Sequence, residues 1–165
     1  MTGQKKGVVF RDISPLLTSA ANFRRLVDLL ARRHFSTAID AVAAVDARGF
    51  IIGAPVAYAL NVAFVPLRKK GKLPGAVIAE AYALEYGAAE LEIQTDCLRP
   101  GARVLLIDDL IATGGTLLAA ARLLRRLEVR ILEVNAIVDL PDLGGSARLR
   151  QDGLAVHAFC SFTGE

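Results

Sequence analysis

The residues with the clearest chemical potential in this 165-residue chain lie between 104 and 124, VLLIDDLIATGGTLLAAARLL. An apolar run ends at two adjacent carboxylates, Asp108 and Asp109, and the loop Ala112-Thr113-Gly114-Gly115-Thr116 follows at once. Paired glycines let backbone N–H groups turn inward around an anion. The hydroxyls of Thr113 and Thr116 add donors, and a helix starting near Thr116 aims its positive end at the same point. The loop therefore reads as a phosphate cradle. Two carboxylates beside a phosphate would repel it unless they faced another part of the ligand. They are expected to accept hydrogen bonds from sugar hydroxyls or to hold a hydrated magnesium ion. The implied ligand is a ribose 5-phosphate. The P-loop is excluded, because the G-x-x-x-x-G-K-[ST] spacing and its lysine are absent.

Such a site needs a rigid frame. The short apolar runs AVAAV (41–45), VAFVPL (62–67), VLLI (104–107) and ILEVNAIV (131–138) are predicted to be strands buried on both faces, with helical patterns between most of them. Phe23, Leu26, Val27 and Leu30 recur at helical spacing after Ser19, a predicted N-cap, which gives an amphipathic helix over 19–34. Strand-helix alternation of this kind predicts an α/β fold with a mostly parallel central sheet flanked by helices. Asp108 and Asp109 then fall at the carboxyl end of a strand, where ligands bind in open α/β sheets. Residues 76–94 alternate apolar and polar positions around Gly87 and are predicted to form a two-stranded excursion from the core.

Composition narrows the class. A chain of this length with 53% hydrophobic residues suits one domain with a continuous core. Cys97 and Cys160 match no metal-ligand spacing, and the chain opens on polar residues with no secretory signal, so a cytoplasmic location is expected. The uncharged run 49–67 approaches membrane-spanning length, but Gly53, Pro55, Asn61 and Pro66 interrupt it. It is read as a buried helix over about 51–60 followed by a strand, and no membrane partner is expected. The net charge of +3 is spread over arginine pairs at 24–25, 32–33 and 125–126, expected to be solvated faces, and the group Arg68-Lys69-Lys70-Lys72. That group is predicted to sit in a loop where nothing structural requires it, available to a polyanion; no nucleic-acid partner is expected. His34 and His157 are assigned no chemistry.

The motif at 104–116 closely resembles the phosphoribosyl pyrophosphate signature of the type I phosphoribosyltransferases. Four further stretches, GVVFRDISPLL (7–17), DARGFIIG (46–53), RKKGKLPG (68–75) and YALEYGAAELEIQ (82–94), are similar in type and order to the adenine-specific branch of that family. The resemblance implies one phosphoribosyltransferase domain over 1–165, with a small hood from residues 1–18 and a flexible two-stranded lid over about 68–94. It also implies the reversible conversion of adenine and phosphoribosyl pyrophosphate to AMP and pyrophosphate, with Mg2+ required and carried mainly by substrate and water near Asp108 and Asp109. The glycine common in the family after the motif helix is missing here, where Glu128 and Val129 stand, so that turn is expected to be built differently.

Roles carried over by resemblance follow the motifs. Arg48 matches the pyrophosphate loop, in which the Asp46–Ala47 peptide is expected to be cis, and Arg68 and Lys72 add positive charge. Glu85 matches the lid glutamate that shares a proton with adenine N7, with Tyr86 closing the lid and excluding water. The backbone of Val9 and Arg11 is expected to read the adenine edge, with Leu110 and Leu140 near the ring faces. Phe10, Pro15 and Leu16 read as packing that fixes the hood. A homodimer formed through the 49–67 region is expected, with Arg68 reaching across the interface. Two alternatives remain: a transferase acting on 6-oxopurines, and a non-catalytic regulator that binds phosphoribosyl pyrophosphate.

Overall fold

The computed structural model describes residues 12–84 and 86–164. Val9, Phe10, Arg11 and Glu85 lie outside the described residues. In chain order the elements are α1 (Ser14–Leu17), α2 (Ala20–His34), β1 (Ala41–Val45), α3 (Arg48–Leu60), β2 (Ala63–Lys69), β3 (Val77–Ala83) and β4 (Ala88–Gln94). They continue with β5 (Arg103–Ile107), β6 (Leu110–Ile111), α4 (Gly115–Arg126), β7 (Arg130–Asp139), α5 (Gly145–Gln151) and β8 (Val156–Ser161).

One sheet carries all eight strands. Strands β2, β1, β5, β7 and β8 run parallel as neighbours, and the antiparallel hairpin β3–β4 joins the edge of β2 through Arg68↔Glu92 and Lys69↔Leu91. The mostly parallel sheet flanked by helices is the predicted fold class, and the hairpin is the predicted excursion. After Ile107 pairs with Asn135, pairing with β7 resumes at Leu110↔Val138. The two intervening residues are Asp108 and Asp109. The acid pair thus interrupts a strand line at its carboxyl end.

Alternation along the strands divides the core in two. Ala41, Ala43, Val45, Val104 and Leu106 face α4, while Val42, Ala44, Leu105 and Ile107 face α2 and α3. Small residues let α3 lie close on β1: a Cβ on Gly53 would come within 2.6 Å of the Ala44 Cβ. Ser19 caps α2, its hydroxyl accepting from the Asn22 N–H at 3.4 Å. At the other end of α2, buried His34 lies 3.4 Å from Asn135 Oδ1, and Arg33 donates to Glu133 at 2.8 and 3.1 Å. Both contacts tie α2 to β7.

Three expectations need correction. Strand β2 is not buried on both faces: Val65 and Leu67 are interior, but its other residues are half-buried or exposed, because β2 passes beyond the cover of α3 toward the hairpin. The run 49–67 is interior on one side only, since Ile51 and Tyr58 on the outer face of α3 are exposed. The basic group at 68–72 is structurally engaged. Arg68 and Lys69 end β2, Lys70 pairs with Glu90 at 2.5 Å, and the Gly71 N–H donates to Glu92. No described helix is long and apolar enough to cross a membrane.

The turn after α4 is made without glycine. Glu128 adopts φ +59° and its carbonyl accepts from the Gly101 N–H at 2.9 Å. A left-handed conformation costs a non-glycine residue about 1–2 kcal/mol, partly offset by the roughly 0.5–1 kcal/mol of chain entropy that glycine adds to the unfolded state. Glu128→Gly is therefore expected to raise stability by about 0.5 kcal/mol, read as a higher midpoint in urea. A lower midpoint would show that the side chain offsets its own strain.

Candidate active site

The site forms at the carboxyl ends of β1 and β5. Arg48 opens α3 and its Nε lies 2.9 Å from Asp109 Oδ2, while the Asp109 N–H donates to Asp108 Oδ1 at 2.8 Å. Gly49 permits this approach. A Cβ there would sit 3.1 Å from the Ile107 carbonyl oxygen and 3.2 Å from Asp108 Oδ1, tighter than ordinary contact. The glycine of the Asp-Ala-Arg-Gly loop thus sets Arg48 over the acid pair. The Asp46–Ala47 peptide is cis, as the resemblance implied.

Burial pushes the Asp108 carboxyl well above the usual carboxylate range, and the neighbouring charge of Asp109 pushes it further; Arg48 acts in the opposite sense. Asp109 is itself buried and has Arg48 as its ion-pair partner. Asp108 is therefore held in a setting that disfavours its charged form, and hydrogen-bond donors from a ligand would favour that form.

The loop 112–116 leads into α4, which starts at Gly115, one residue before the expected start. Gly114 takes φ +83°, the left-handed conformation that glycine allows. The hairpin comes close here, since the Ala83 carbonyl oxygen lies 3.8 Å from where a Gly115 Cβ would stand. At the far end of α4, Arg126 donates to the Ala79 carbonyl at 2.6 Å and lies 3.3 Å from Glu80 Oε2. Helix α4 thereby connects the 112–116 loop to the hairpin. The tip is closed by the Leu84 N–H donating to the Gly87 carbonyl at 2.9 Å, and Tyr86 there is exposed.

Arg68 turns back on its own chain, its Nε 3.3 Å from Asp46 Oδ2 and its guanidinium 6.0 Å from the centroid of the Phe50 ring. That geometry places it beside the Arg48 loop. Lys72 is exposed, and its carbonyl lies 3.5 Å from Arg68 Nη1. Leu110 is half-buried, and Leu140 is buried in the core under α2 and α3. The structure therefore brings Arg48, Asp108, Asp109 and residues 112–116 to one end of the sheet, with Arg68 adjoining through Asp46.

Two contributors escaped the sequence reading. Gly145 donates its N–H to the Ala112 carbonyl at 3.0 Å, and Arg148 Nη1 donates to the Thr113 carbonyl at 2.7 Å. The Gly144-Gly145 pair was the available signal, as a second paired-glycine turn near the end of a strand.

Among the described residues no three His, Cys, Asp or Glu side chains converge in a way that could hold a metal ion. Asp108 and Asp109 fit an ion delivered largely by an oxygen-rich ligand and water, and they do not make a closed protein cage.

Comparison with known proteins agrees with this geometry. The family model described as a phosphoribosyl transferase domain matches residues 14–159. An adenine phosphoribosyltransferase from Marinobacter nauticus is 55% identical over 161 residues, 98% of this chain and 89% of that protein. The crystal structure of adenine phosphoribosyltransferase from Thermoanaerobacter pseudethanolicus superposes with a TM-score of 0.89 at 42% identity, covering 96% of this chain and 91% of that one. The Saccharomyces cerevisiae enzyme, complexed with adenine and an imino-altritol bisphosphate, gives a TM-score of 0.87 at 37% identity, with 93% and 88% covered. With an acid pair, a glycine-rich loop and an arginine gathered at the ends of parallel strands, and relatives matched over nearly its whole length, the chain belongs to the adenine phosphoribosyltransferases of the phosphoribosyltransferase family.

Proposed function

We propose that this chain transfers the 5-phosphoribosyl group from phosphoribosyl pyrophosphate to adenine, releasing AMP and pyrophosphate. The observation that carries the reading is the convergence of Arg48, the Asp108–Asp109 pair and the 112–116 loop within one strand-end crevice. In the reaction the bond from C1' to the pyrophosphate oxygen breaks, a bond from C1' to adenine N9 forms, and adenine gives up one proton. The loop amides and the hydroxyls of Thr113 and Thr116 hold the 5-phosphate, and Asp108 and Asp109 accept from the ribose hydroxyls. Arg48, beside Asp109, supplies positive charge where the departing pyrophosphate gathers negative charge. Magnesium, when bound through substrate and water near the acid pair, supplies further charge neutralisation. Val9, Arg11, Leu110 and Leu140 are assigned to the base, and residues 68–94 to a lid that excludes water as a competing nucleophile, with Tyr86 at its tip.

The deciding experiment supplies the purified protein with phosphoribosyl pyrophosphate, Mg2+ and each of adenine, hypoxanthine and guanine. AMP formation alone is expected. IMP or GMP formation would favour a 6-oxopurine transferase, and binding without any product would favour a regulator.

Glu85 is assigned the proton at adenine N7. Glu85→Gln is expected to lower kcat about 100-fold or more, as loss of general acid-base catalysis does, with little change in either KM. A raised adenine KM at normal kcat would make Glu85 a positioning residue.

A second copy of the chain is assigned to the outer face of α3, where Ile51, Ala54, Tyr58 and Ala59 are exposed. Tyr58→Glu is expected to convert a sedimenting dimer to a monomer. A wild-type protein that sediments as a monomer at working concentration refutes the assignment.

A further inference from the structure

We infer that Arg148 is a positioning residue for the phosphate loop: seated with Gly145 beneath it, it draws the loop's carbonyls away from the ligand and leaves the amides for the anion. The inference rests on the reading of 112–116 as the 5-phosphate site. A backbone loop carries as many acceptors as donors, so it selects an anion only where its carbonyl oxygens are engaged elsewhere. Here three successive carbonyls are accounted for. Ala112 O accepts from the Gly145 N–H at 3.0 Å, Thr113 O from Arg148 Nη1 at 2.7 Å, and Gly114 O from the Leu118 N–H at 2.9 Å. The amides of Thr113, Gly114, Gly115 and Thr116 have no acceptor among the described residues. The loop is thus polarised, with its acceptors tied down and its donors open.

Close backbone packing makes this possible. A Cβ on Gly145 would lie 2.3 Å from the Ala112 oxygen and 2.7 Å from the Gly114 nitrogen, and a Cβ on Gly114 would lie 3.0 Å from the Gly145 Cα. Neither glycine can take a side chain without lifting the loop off α5. Of the three carbonyls, Thr113 O alone is held by a side chain, and that donor is cationic. A charge-assisted bond is about twice as strong as a neutral one. Without it, the Thr113 peptide is free to rotate its oxygen toward the phosphate, replacing an attraction with a repulsion. Arg148 acts through the loop, on ground state and transition state alike, so its loss is expected in binding and not in turnover.

The test compares wild type with Arg148→Ala and Arg148→Lys, using calorimetric titration with ribose 5-phosphate, steady-state kinetics and thermal unfolding. Arg148→Ala is expected to weaken ribose 5-phosphate binding and raise the KM for phosphoribosyl pyrophosphate about 10-fold, the scale of one charge-assisted hydrogen bond. The kcat and the KM for adenine are expected to stay within twofold, with Tm unchanged. Arg148→Lys, which keeps one charged donor, is expected to recover most of the affinity. Unchanged affinity in Arg148→Ala, a loss confined to kcat, or a loss that follows a fall in Tm without rescue by lysine would each overturn the inference. A wild-type protein that does not bind ribose 5-phosphate would instead refute the underlying reading of the loop.

Discussion

Replacing Asp108 and Asp109 together by Asn is expected to weaken phosphoribosyl pyrophosphate binding by about 100-fold or more while the protein stays folded. Each hydrogen bond to a charged acceptor contributes roughly 1.5–3 kcal/mol, and every 1.4 kcal/mol is tenfold in affinity, so even one such bond lost at each carboxylate reaches that scale. The fold is expected to survive because ionised Asp108 opposes folding. Burial and the charge of Asp109 raise the Asp108 carboxyl above its unfolded value. Its contribution to stability is fully present below the unfolded pKa and is lost as pH rises through the folded one. The amide pair carries no such dependence, so the variant is expected to match or exceed wild-type stability at neutral pH.

The same shift predicts that binding of ribose 5-phosphate, whose hydroxyls donate best to an ionised Asp108, releases protons from the wild-type protein at pH values where Asp108 still holds its proton. Titration in buffers of different ionisation enthalpy reads that release, and it should vanish in the variant. Unchanged sugar-phosphate affinity in the variant would remove the pair from the site.

How much of this was legible in the sequence depends on how local the cause is. Ser19 before an amphipathic run and AVAAV between helical patterns are signals within one element, and both elements formed. The acid pair and the two glycines were legible as a candidate site because they adjoin in the chain. Elements with weaker local patterns were missed. Strand β8 is one-third polar, with His157 and Ser161 among its six residues, and stands because β7 pairs with it. Helix α5 has seven residues and few apolar positions. Arg148 was invisible for a different reason: its partner, the Thr113 carbonyl, lies 35 residues away and is backbone, so no side-chain pattern could announce it. The exposure of one face of α3 and the engagement of Arg68 with Asp46 likewise depend on packing between elements distant in the chain.

Glu128 teaches a related point. The family's glycine is missing from this neighbourhood, and the backbone strains a glutamate into the left-handed conformation at 128. The position is fixed by the junction of α4, β5 and β7, where Gly101 needs the Glu128 carbonyl. Tertiary context outweighs the cost of one unfavourable φ.

The largest effect on turnover is expected from Arg48→Ala. Its guanidinium holds Asp109 through Nε at 2.9 Å, and a planar fork of five donors can meet a carboxylate and a diphosphate together where a lysine ammonium is only a point charge. As the bond from C1' breaks, negative charge grows on the departing pyrophosphate, so an interaction with Arg48 strengthens toward the transition state. Removing one donor of this kind lowers kcat by about 100- to 1,000-fold, and the KM for phosphoribosyl pyrophosphate should change less. Arg48→Lys is expected to recover little, since its amine replaces the charge but not the fork. A second readout separates this role from simple loss of binding. Because Arg48 draws the Asp108 carboxyl downward, its removal raises that group further, and the acid limb of the pH profile for phosphoribosyl pyrophosphate use should move to higher pH. Steady-state kinetics across pH measure both effects. A variant with normal kcat and a raised KM alone, or with an unshifted acid limb, would show that Arg48 neither meets the leaving group nor governs the acid pair.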